Sequence, residues 1–324
     1  MLKRIEEKVL NGIQPADAEF YSLLKIENNL IDLISAADKI RRKFKGKKVK
    51  FCSIVNAKSG MCDQNCAFCG QSSYHKTKIL KYPLLDTEAI VESAMDAAHN
   101  GATEFSIVTS GKKINSKGEL EQIKKAIKEI KEKTSLESCA SLGVLDKDFL
   151  AELKGAGLDR YHHNLETSQS FFPQICTTRG YDESVDTIKA AKEAGLITCC
   201  GGIFGIGESP QQRIELALTL KKLDPDSIPI NFLSPVKNTR LENMPLLEPL
   251  EALKIIAIFR IIFPRKDIII CGGREVTLRS LQPVMFLAGA NGMILGDYLT
   301  TKGRSVKHDL DMIKDLGLGR DSKS

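Results

Sequence analysis

Glu183-Ser-Val-Asp-Thr-Ile-Lys-Ala-Ala-Lys-Glu-Ala-Gly-Leu-Ile-Thr-Cys-Cys-Gly-Gly-Ile-Phe204 is the stretch on which the fold turns. Apolar residues recur there every three to four positions, which predicts an amphipathic helix over Glu183–Ala194. Gly195 follows as a helix stop. The next run is short, apolar and β-rich, and predicts a strand over Ile197–Phe204. The same helix–glycine–strand unit repeats in both directions. Strands are expected at Val49–Val55, Glu104–Thr109, Leu136–Leu142, Arg160–Leu165, Ser227–Leu233, Asp267–Cys271 and Gly292–Leu295. Helices are expected at Thr87–His99, Lys117–Lys133, Asp146–Ala156, Pro210–Lys222, Leu250–Phe263 and Val276–Ala288. Eight such units argue for an α/β protein built as a closed parallel (β/α)8 TIM-type barrel. An open doubly wound sheet is the competing arrangement, but Gly202-Ile-Phe-Gly205-Ile-Gly207 does not have the G-x-G-x-x-G spacing of its usual phosphate turn.

Outside the barrel, residues 1–46 read as an N-terminal helical extension, with a helix from Glu19 to Lys43 region that Asp17 is placed to cap. Residues 47–324 hold the barrel and a C-terminal tail. The 324-residue length suits one large domain, and a 42% hydrophobic content suits a substantial core. No apolar run approaches the length of a membrane span, and Met1-Leu-Lys-Arg-Ile-Glu-Glu-Lys8 lacks a signal-peptide core, so a cytoplasmic protein is expected. Nine cysteines in that compartment are metal ligands or reduced thiols rather than disulfides. The net charge of +6 is concentrated in Arg41-Arg-Lys-Phe-Lys-Gly-Lys-Lys-Val-Lys50. Phe44 is the single aromatic residue of that run, too few for a base-stacking platform, so the run reads as a solvated helix end rather than a nucleic-acid patch.

The chemistry is announced by Cys62-Asp-Gln-Asn-Cys66-Ala-Phe-Cys69, a Cys-x3-Cys-x2-Cys loop after the first strand. Barrel active sites lie on such loops, at the C-terminal ends of the strands. Thiolates hold zinc or iron–sulfur clusters. Three ligands leave one metal corner open for chemistry, whereas four would close the site. A zinc site completed by His75 is the alternative. Adjacent strand residues face opposite sides, so Cys199 and Cys200 cannot both point into the barrel.

This loop matches the signature of radical SAM enzymes, and its wider context resembles the biotin synthase family. The resemblance rests on Lys58-Ser-Gly-Met-Cys62, Cys69-Gly-Gln-Ser-Ser73, Leu136-Glu-Ser-Cys139-Ala-Ser-Leu-Gly143 and Tyr161-His-His-Asn-Leu-Glu-Thr-Ser168. It continues in the same order through Thr177-Thr-Arg-Gly-Tyr181, Cys199-Cys-Gly-Gly-Ile-Phe-Gly-Ile-Gly-Glu208, Pro229-Ile-Asn-Phe-Leu233, Gly272-Gly-Arg-Glu275 and Ala288-Gly-Ala-Asn291. It implies an enzyme that inserts sulfur into dethiobiotin to form biotin. Cys62, Cys66 and Cys69 would hold a [4Fe–4S] cluster whose fourth iron is chelated by S-adenosyl-L-methionine. One electron then releases a 5′-deoxyadenosyl radical, and an auxiliary cluster donates the sulfur. The clusters and the radical carry the chemistry, so no side chain is assigned a catalytic role. Phe68, Glu166, Gly202, Ile203 and Gly205 would contact S-adenosyl-L-methionine. Glu166 stands where the family usually has Asp. Asn164 and Asn231 would bind the ureido ring, to which an amide offers both donor and acceptor.

The match breaks at the auxiliary [2Fe–2S] site. Its usual ligands are three cysteines and an arginine. Cys139, Cys199 and Arg274 correspond to three of them, but Ser106 stands in place of the remaining cysteine. Cys52 and Cys271 are extra, on the first and seventh strands. Inward residues of alternate strands share a layer, so Cys52, Cys139, Cys199 and Cys271 are expected to form a four-cysteine variant of the auxiliary site. Cys176 and Cys200 read as structural, His162 and His163 as packed core residues, and Arg179 as a carboxylate binder or a salt-bridge partner. The resemblance further implies a homodimer and an electron donor such as flavodoxin or ferredoxin. Competing functions are a related enzyme acting on an amino acid or in hydrogenase cofactor maturation, and a non-enzymatic cluster or zinc-binding protein.

Overall fold

The computed structural model describes residues 1–26, 29–114 and 116–321. The chain opens with helices α1 (Leu2–Leu10), α2 (Asp17–Leu23) and α3 (Leu30–Lys45), and strand β1 follows at Lys48–Lys58. Then come α4 (Thr87–His99), β2 (Glu104–Thr109), α5 (Lys117–Lys133), β3 (Glu137–Ser141), α6 (Lys147–Gly155) and β4 (Arg160–His162). The second half runs α7 (Phe172–Ile175), α8 (Tyr181–Glu193), β5 (Ile197–Cys199), β6 (Gly202–Phe204), α9 (Pro210–Leu223), β7 (Ser227–Phe232), α10 (Pro249–Ile262) and β8 (Asp267–Ile270). It ends with α11 (Arg274–Leu278), a 3-10 turn, α12 (Val284–Leu287), β9 (Gly292–Ile294), α13 (Val306–Asp315) and β10 (Gly319–Arg320).

All strand pairs are parallel. They run β1-β2-β3-β4-β5-β7-β8-β9, and β9 returns to β1 through Lys50↔Gly292 and Phe51↔Met293. The sheet is therefore a closed eight-stave barrel of the TIM type. β5 and β6 share the fifth stave, because the strand expected over Ile197–Phe204 breaks at Cys200-Gly201. A Cβ at Gly201 would lie 1.9 Å from the Pro229 carbonyl oxygen. The backbone approaches there more closely than any side chain permits.

Local chemistry sets the helix starts. The carboxylates of Asp86 and Asp146 accept from Ala89 N–H (2.8 Å) and Phe149 N–H (3.0 Å). Ser209 and Gln212 form a reciprocal capping box ahead of α9, with Pro210 in the first turn. Asp17 does not cap α2. It is the first helical residue, and the Glu19 carboxylate reaches back to Ala16 N–H (2.9 Å) instead. The single helix expected over Glu19–Lys43 is two, α2 and α3; Glu27 and Asn28 lie outside the described residues. The helix expected over Val276–Ala288 is broken as well. Arg279 adopts φ 51°, and Pro283, which has no N–H to donate, starts a new turn at α12.

Helix α10 is buried almost all round, from Ala252 to Ile262, with no polar stripe. One side rests on the barrel, and Leu33, Ile34, Ala37 and Ile40 of α3 join the core on the other. The N-terminal extension thus closes over the outer layer. Arg260 is fully buried within α10 and donates to the carbonyl oxygens of Gly289 (2.7 Å), Phe263 (2.9 Å) and Lys266 (2.8 Å), and to Asn291 Oδ1 (2.7 Å).

Charges meet at the N-terminal end of the strands. Lys50 lies 3.0 Å from Glu104 and 3.2 Å from Asp267, which also pairs with Lys45. Burial pushes the Asp267 carboxyl up, but Lys50 and Lys45 outweigh it and hold its pKa at about 2. A carboxylate with a depressed folded pKa stabilises the fold above its unfolded pKa near 4 and stops doing so as pH falls towards 2. In urea titrations between pH 4.5 and 2, Asp267→Asn is expected to lose less stability than the unaltered chain, by about 2 kcal/mol. Identical pH slopes would remove this ion pair from the account of acid sensitivity.

Candidate active site

The three-cysteine loop leaves the C-terminal end of β1 and is folded by its own backbone. Cys62 N–H donates to Gln71 O (3.0 Å), Ser73 N–H to Cys62 O (2.8 Å) and Cys69 N–H to Cys66 O (3.1 Å). Gly60, at φ 75°, donates to the Gln71 side chain (3.1 Å), and Ser72 Oγ donates to Gln64 O (2.6 Å). Ala67 N–H reaches Ile175 O (2.9 Å), which ties the loop to α7 and brings the Cys176 thiol against that of Cys66. His75 is turned back on the loop. Its Nδ1 is 2.9 Å from Cys69 O, so that nitrogen is engaged with backbone rather than with a metal. Among the described residues no three His, Cys, Asp or Glu side chains converge closely enough to grip a single ion. Burial raises the Cys62 thiol and, as the main cause, lifts Cys69 to about 11. Metal binding must therefore displace protons from this loop.

Beside the loop, at the barrel mouth, lies a cavity of about 370 Å³. Phe68 and Cys69 reach its wall from the loop. Cys52, Ser106, Cys139, Cys199 and Cys271 line it from five staves, and Asn164, Glu166, Ile203 and Asn231 complete its rim. Cys200 faces the other way, into the core around Tyr181 and Leu216. Burial holds the Cys139 and Cys271 thiols up at about 12, and raises Cys52 and Cys199 strongly. Cys52 also donates to Glu104 (2.9 Å), Ser106 hydrogen-bonds Cys139, and His162 Nδ1 lies 3.3 Å from the Cys199 sulfur. Burial, then Arg160, keep His162 at about 4, hence neutral. His163 is buried against Ser184 Oγ (3.0 Å), away from the wall of this cavity.

Nothing in the sequence marks Arg160, yet it is the fixed charge of this cavity. It is 3% exposed and lies between Glu137 (Nε to Oε1, 2.9 Å), Ser227 Oγ (2.6 Å) and Glu104 (3.3 Å). Its charge opposes the effect of burial on both Cys139 and Cys199. Arg274 is not on the cavity wall. Its guanidinium is buried against Asp309 of α13 and Gln282, with Glu275 at 3.4 Å. Only the tertiary packing of the C-terminal helix brings Asp309 there.

The rim is shaped by close backbone approach. A Cβ at Gly202 would sit 2.6 Å from Glu166 O, and Ile203 N–H donates to that same carbonyl (2.7 Å). Glu166 itself takes φ 69°, and burial raises its carboxyl while Arg179, 4.0 Å away, opposes this. The Arg179 Nε is buried with no partner among the described atoms. Gly205 (φ 83°) and Ile206 donate to the Glu208 carboxylate at 3.0 and 2.8 Å, and Arg213 holds that carboxylate from behind (2.8 Å). Asn164 Oδ1 accepts from Gly201 N–H (3.2 Å), and Asn231 Oδ1 accepts from Gly272 N–H (3.0 Å). Both amides are thereby oriented at the mouth.

Residues 58–220 match the Radical SAM superfamily, and residues 229–319 match the Biotin and Thiamin Synthesis associated domain. The biotin synthase of Citrifermentans bemidjiense is 50% identical over 319 residues, covering 98% of this chain and 97% of the relative. That of Geotalea uraniireducens is 48% identical over 318 residues, with the same coverage. The chain belongs to the biotin synthase family. Among solved structures, methylornithine synthase (PylB) superposes with a TM-score of 0.86 at 21% identity, covering 98% of this chain and 97% of that one. HydG, the [FeFe]-hydrogenase maturase from Carboxydothermus hydrogenoformans, gives 0.84 at 18% identity, covering 98% and 78%. At such identities these two speak for the shared barrel alone. The biotin synthase family thus accounts for both halves of the chain, the cysteine loop and the C-terminal staves that complete the cavity.

The donor sets suit the groups this family implies. A loop with three cysteines and, among the described residues, no further thiol at hand except that of Cys176 leaves room for a small-molecule ligand on an iron–sulfur cluster. Three buried thiols and the half-buried Cys52 around one cavity form a soft donor set, and Arg160 supplies a compensating positive charge.

Proposed function

We infer that this chain carries out the biotin synthase reaction, joining sulfur to dethiobiotin. One observation carries the reading: a single cavity is bordered by the three-cysteine loop and lined by four further cysteines. When bound, a [4Fe–4S] cluster with S-adenosyl-L-methionine supplies a carbon radical, and an auxiliary iron–sulfur cluster supplies sulfur. Cys62, Cys66 and Cys69 hold the first cluster. Cys52, Cys139, Cys199 and Cys271 hold the second, with Ser106 supporting Cys139 and Arg160 balancing charge in place of Arg274. Phe68, Ile203, Gly202 and Gly205 border S-adenosyl-L-methionine, and Glu166 accepts from its ribose hydroxyls while Arg179 offers charge to its carboxylate. Asn164 and Asn231, whose Nδ2 groups also donate to Glu166 Oε2 (3.4 Å) and Gly202 O (3.3 Å), grip the ureido ring with their remaining N–H and lone pairs. The barrel walls keep water from the radical. The electron comes from a carrier such as flavodoxin or ferredoxin, and the working unit is a cytoplasmic homodimer. Among the described residues no helix is long and apolar enough to cross a membrane.

Anaerobically reconstituted protein is expected to turn dethiobiotin into biotin. Cys271→Ala is expected to lose the iron and visible absorption of the auxiliary cluster while still cleaving S-adenosyl-L-methionine under dithionite. Full retention of that cluster in Cys271→Ala would remove the four-thiolate assignment. Absence of biotin from the fully loaded protein would remove the reaction itself.

A further inference from the structure

We propose that the segment Tyr74–Lys81, together with Met61, is the landing surface for a small acidic one-electron carrier. The proposal rests on the reading that Cys62, Cys66 and Cys69 hold the cluster to be reduced.

Three of the most exposed large apolar side chains of the molecule gather on the cysteine loop and its return: Leu80 at 82%, Met61 at 77% and Tyr74 at 61%. Each leaves most of its surface bare, and clustered apolar exposure marks an interaction site. Lys76, Lys78 and Lys81 stand among them, exposed and without an ion-pair partner among the described residues. Across residues 59–85 the only acid is Asp63. It accepts the N–H of Lys112, whose ammonium pairs with Glu183 (2.8 Å). An apolar centre with an uncompensated basic rim is the complement of an acidic protein. A second copy of this chain meeting this face with the same patch would set lysine against lysine, so the homodimer seam is placed elsewhere.

The platform is rigid and close to the ligands. Ser59 and Tyr82 exchange both backbone hydrogen bonds at 3.1 Å, and Ser59 Oγ donates to Leu80 O (2.8 Å). The Lys81 stem lies over Gly60, where a Cβ would come within 2.7 Å of it. Thr77 Oγ1 donates to Gly70 O (2.5 Å), and His75 meets Cys69 O. The outer face thus carries the lysines while the inner face carries Cys69, one hydrogen bond away. A carrier seated here is separated from the cysteine ligands by this one layer of hydrogen-bonded backbone.

The test uses the reconstituted full-length chain and measures S-adenosyl-L-methionine cleavage with two reductants. One is a flavodoxin of net negative charge in its hydroquinone state; the other is dithionite, which needs no docking surface. In Lys76→Glu/Lys78→Glu/Lys81→Glu the flavodoxin-driven rate is expected to fall about tenfold or more and to lose its salt dependence, with the dithionite-driven rate unchanged. Leu80→Asp, judged by the same ratio of rates, decides the case in which the triple variant loses its cluster. An unchanged flavodoxin rate overturns the proposal, as does an equal fall with both reductants in Leu80→Asp. A shift in oligomeric state at unchanged flavodoxin rate assigns the patch to a second copy and also overturns it. Failure of dithionite to drive cleavage in the unaltered protein strikes the cluster reading instead, and is told apart on that ground.

Discussion

Cys69→Ala is expected to abolish reductive cleavage of S-adenosyl-L-methionine. The fall should exceed about a thousandfold, well beyond the 10–100-fold that follows loss of a supporting partner around a metal. Among the three loop cysteines Cys69 is the cleanest to remove. Cys66 has the Cys176 thiol against it, a neighbour able to stand in as a ligand, whereas Cys69 is the loop cysteine that faces the cavity. Its backbone serves the loop regardless of side chain, through Cys69 N–H to Cys66 O and Cys69 O to His75. Alanine therefore keeps these two backbone hydrogen bonds, gives up those that Gln71 and Ser72 N–H make to the sulfur, and costs the fold about 1 kcal/mol. Iron content, visible absorption and cleavage under dithionite are the measurements. Cleavage within tenfold of the unaltered protein would mean that this loop does not hold the reactive cluster.

Arg160→Met should have the second largest effect, and it acts through charge. Arg160 is buried between Glu104 and Glu137, and its removal leaves two buried carboxylates short of a cation, although Lys50 still faces Glu104. Breaking such a buried arrangement by deleting one partner costs about 3–5 kcal/mol. The cavity thiols also lose the one charge that opposes burial on both Cys139 and Cys199. Urea unfolding of the cluster-free chain under reducing conditions is expected to show that loss of stability, and reconstitution is expected to fill the auxiliary site less completely than the loop site. Arg160→Met combined with Glu104→Gln should recover part of the stability, because one buried charge leaves with the other. Stability unchanged in the single variant would show that water already compensates these carboxylates.

Much of this protein is legible along the chain. The β2, α4 and α5 boundaries coincide with those read from the sequence, because each is a local matter of periodicity and capping, as at Asp86 and Ser116. The cysteine loop is local as well, and so is the inward–outward split of Cys199 and Cys200. The helices that depart from expectation do so for non-local reasons. The turn at Ala16 is held by Glu19, whose carboxylate is itself gripped by Arg4 and Lys8 of α1. The four-residue α7 is too short to show a period, whereas α13 is amphipathic but lies past the eight strand–helix units, in the stretch read only as a tail; they take their places by packing on the loop and on Arg274.

The residues by themselves determined the eight-stave alternation, the three-thiol loop at the mouth and the family to which both belong, since spacing along a chain is set by covalent connection and short-range hydrogen bonding. Tertiary structure alone decided that Arg160 carries the cavity's charge, that Arg274 turns to Asp309, that the fifth stave breaks at Gly201, and that lysines and bare apolar groups share one face over the loop. Barrel closure sets residues such as Lys50 and Asp267 side by side across most of the chain. Which buried charges then neutralise one another depends on distances that no local pattern records.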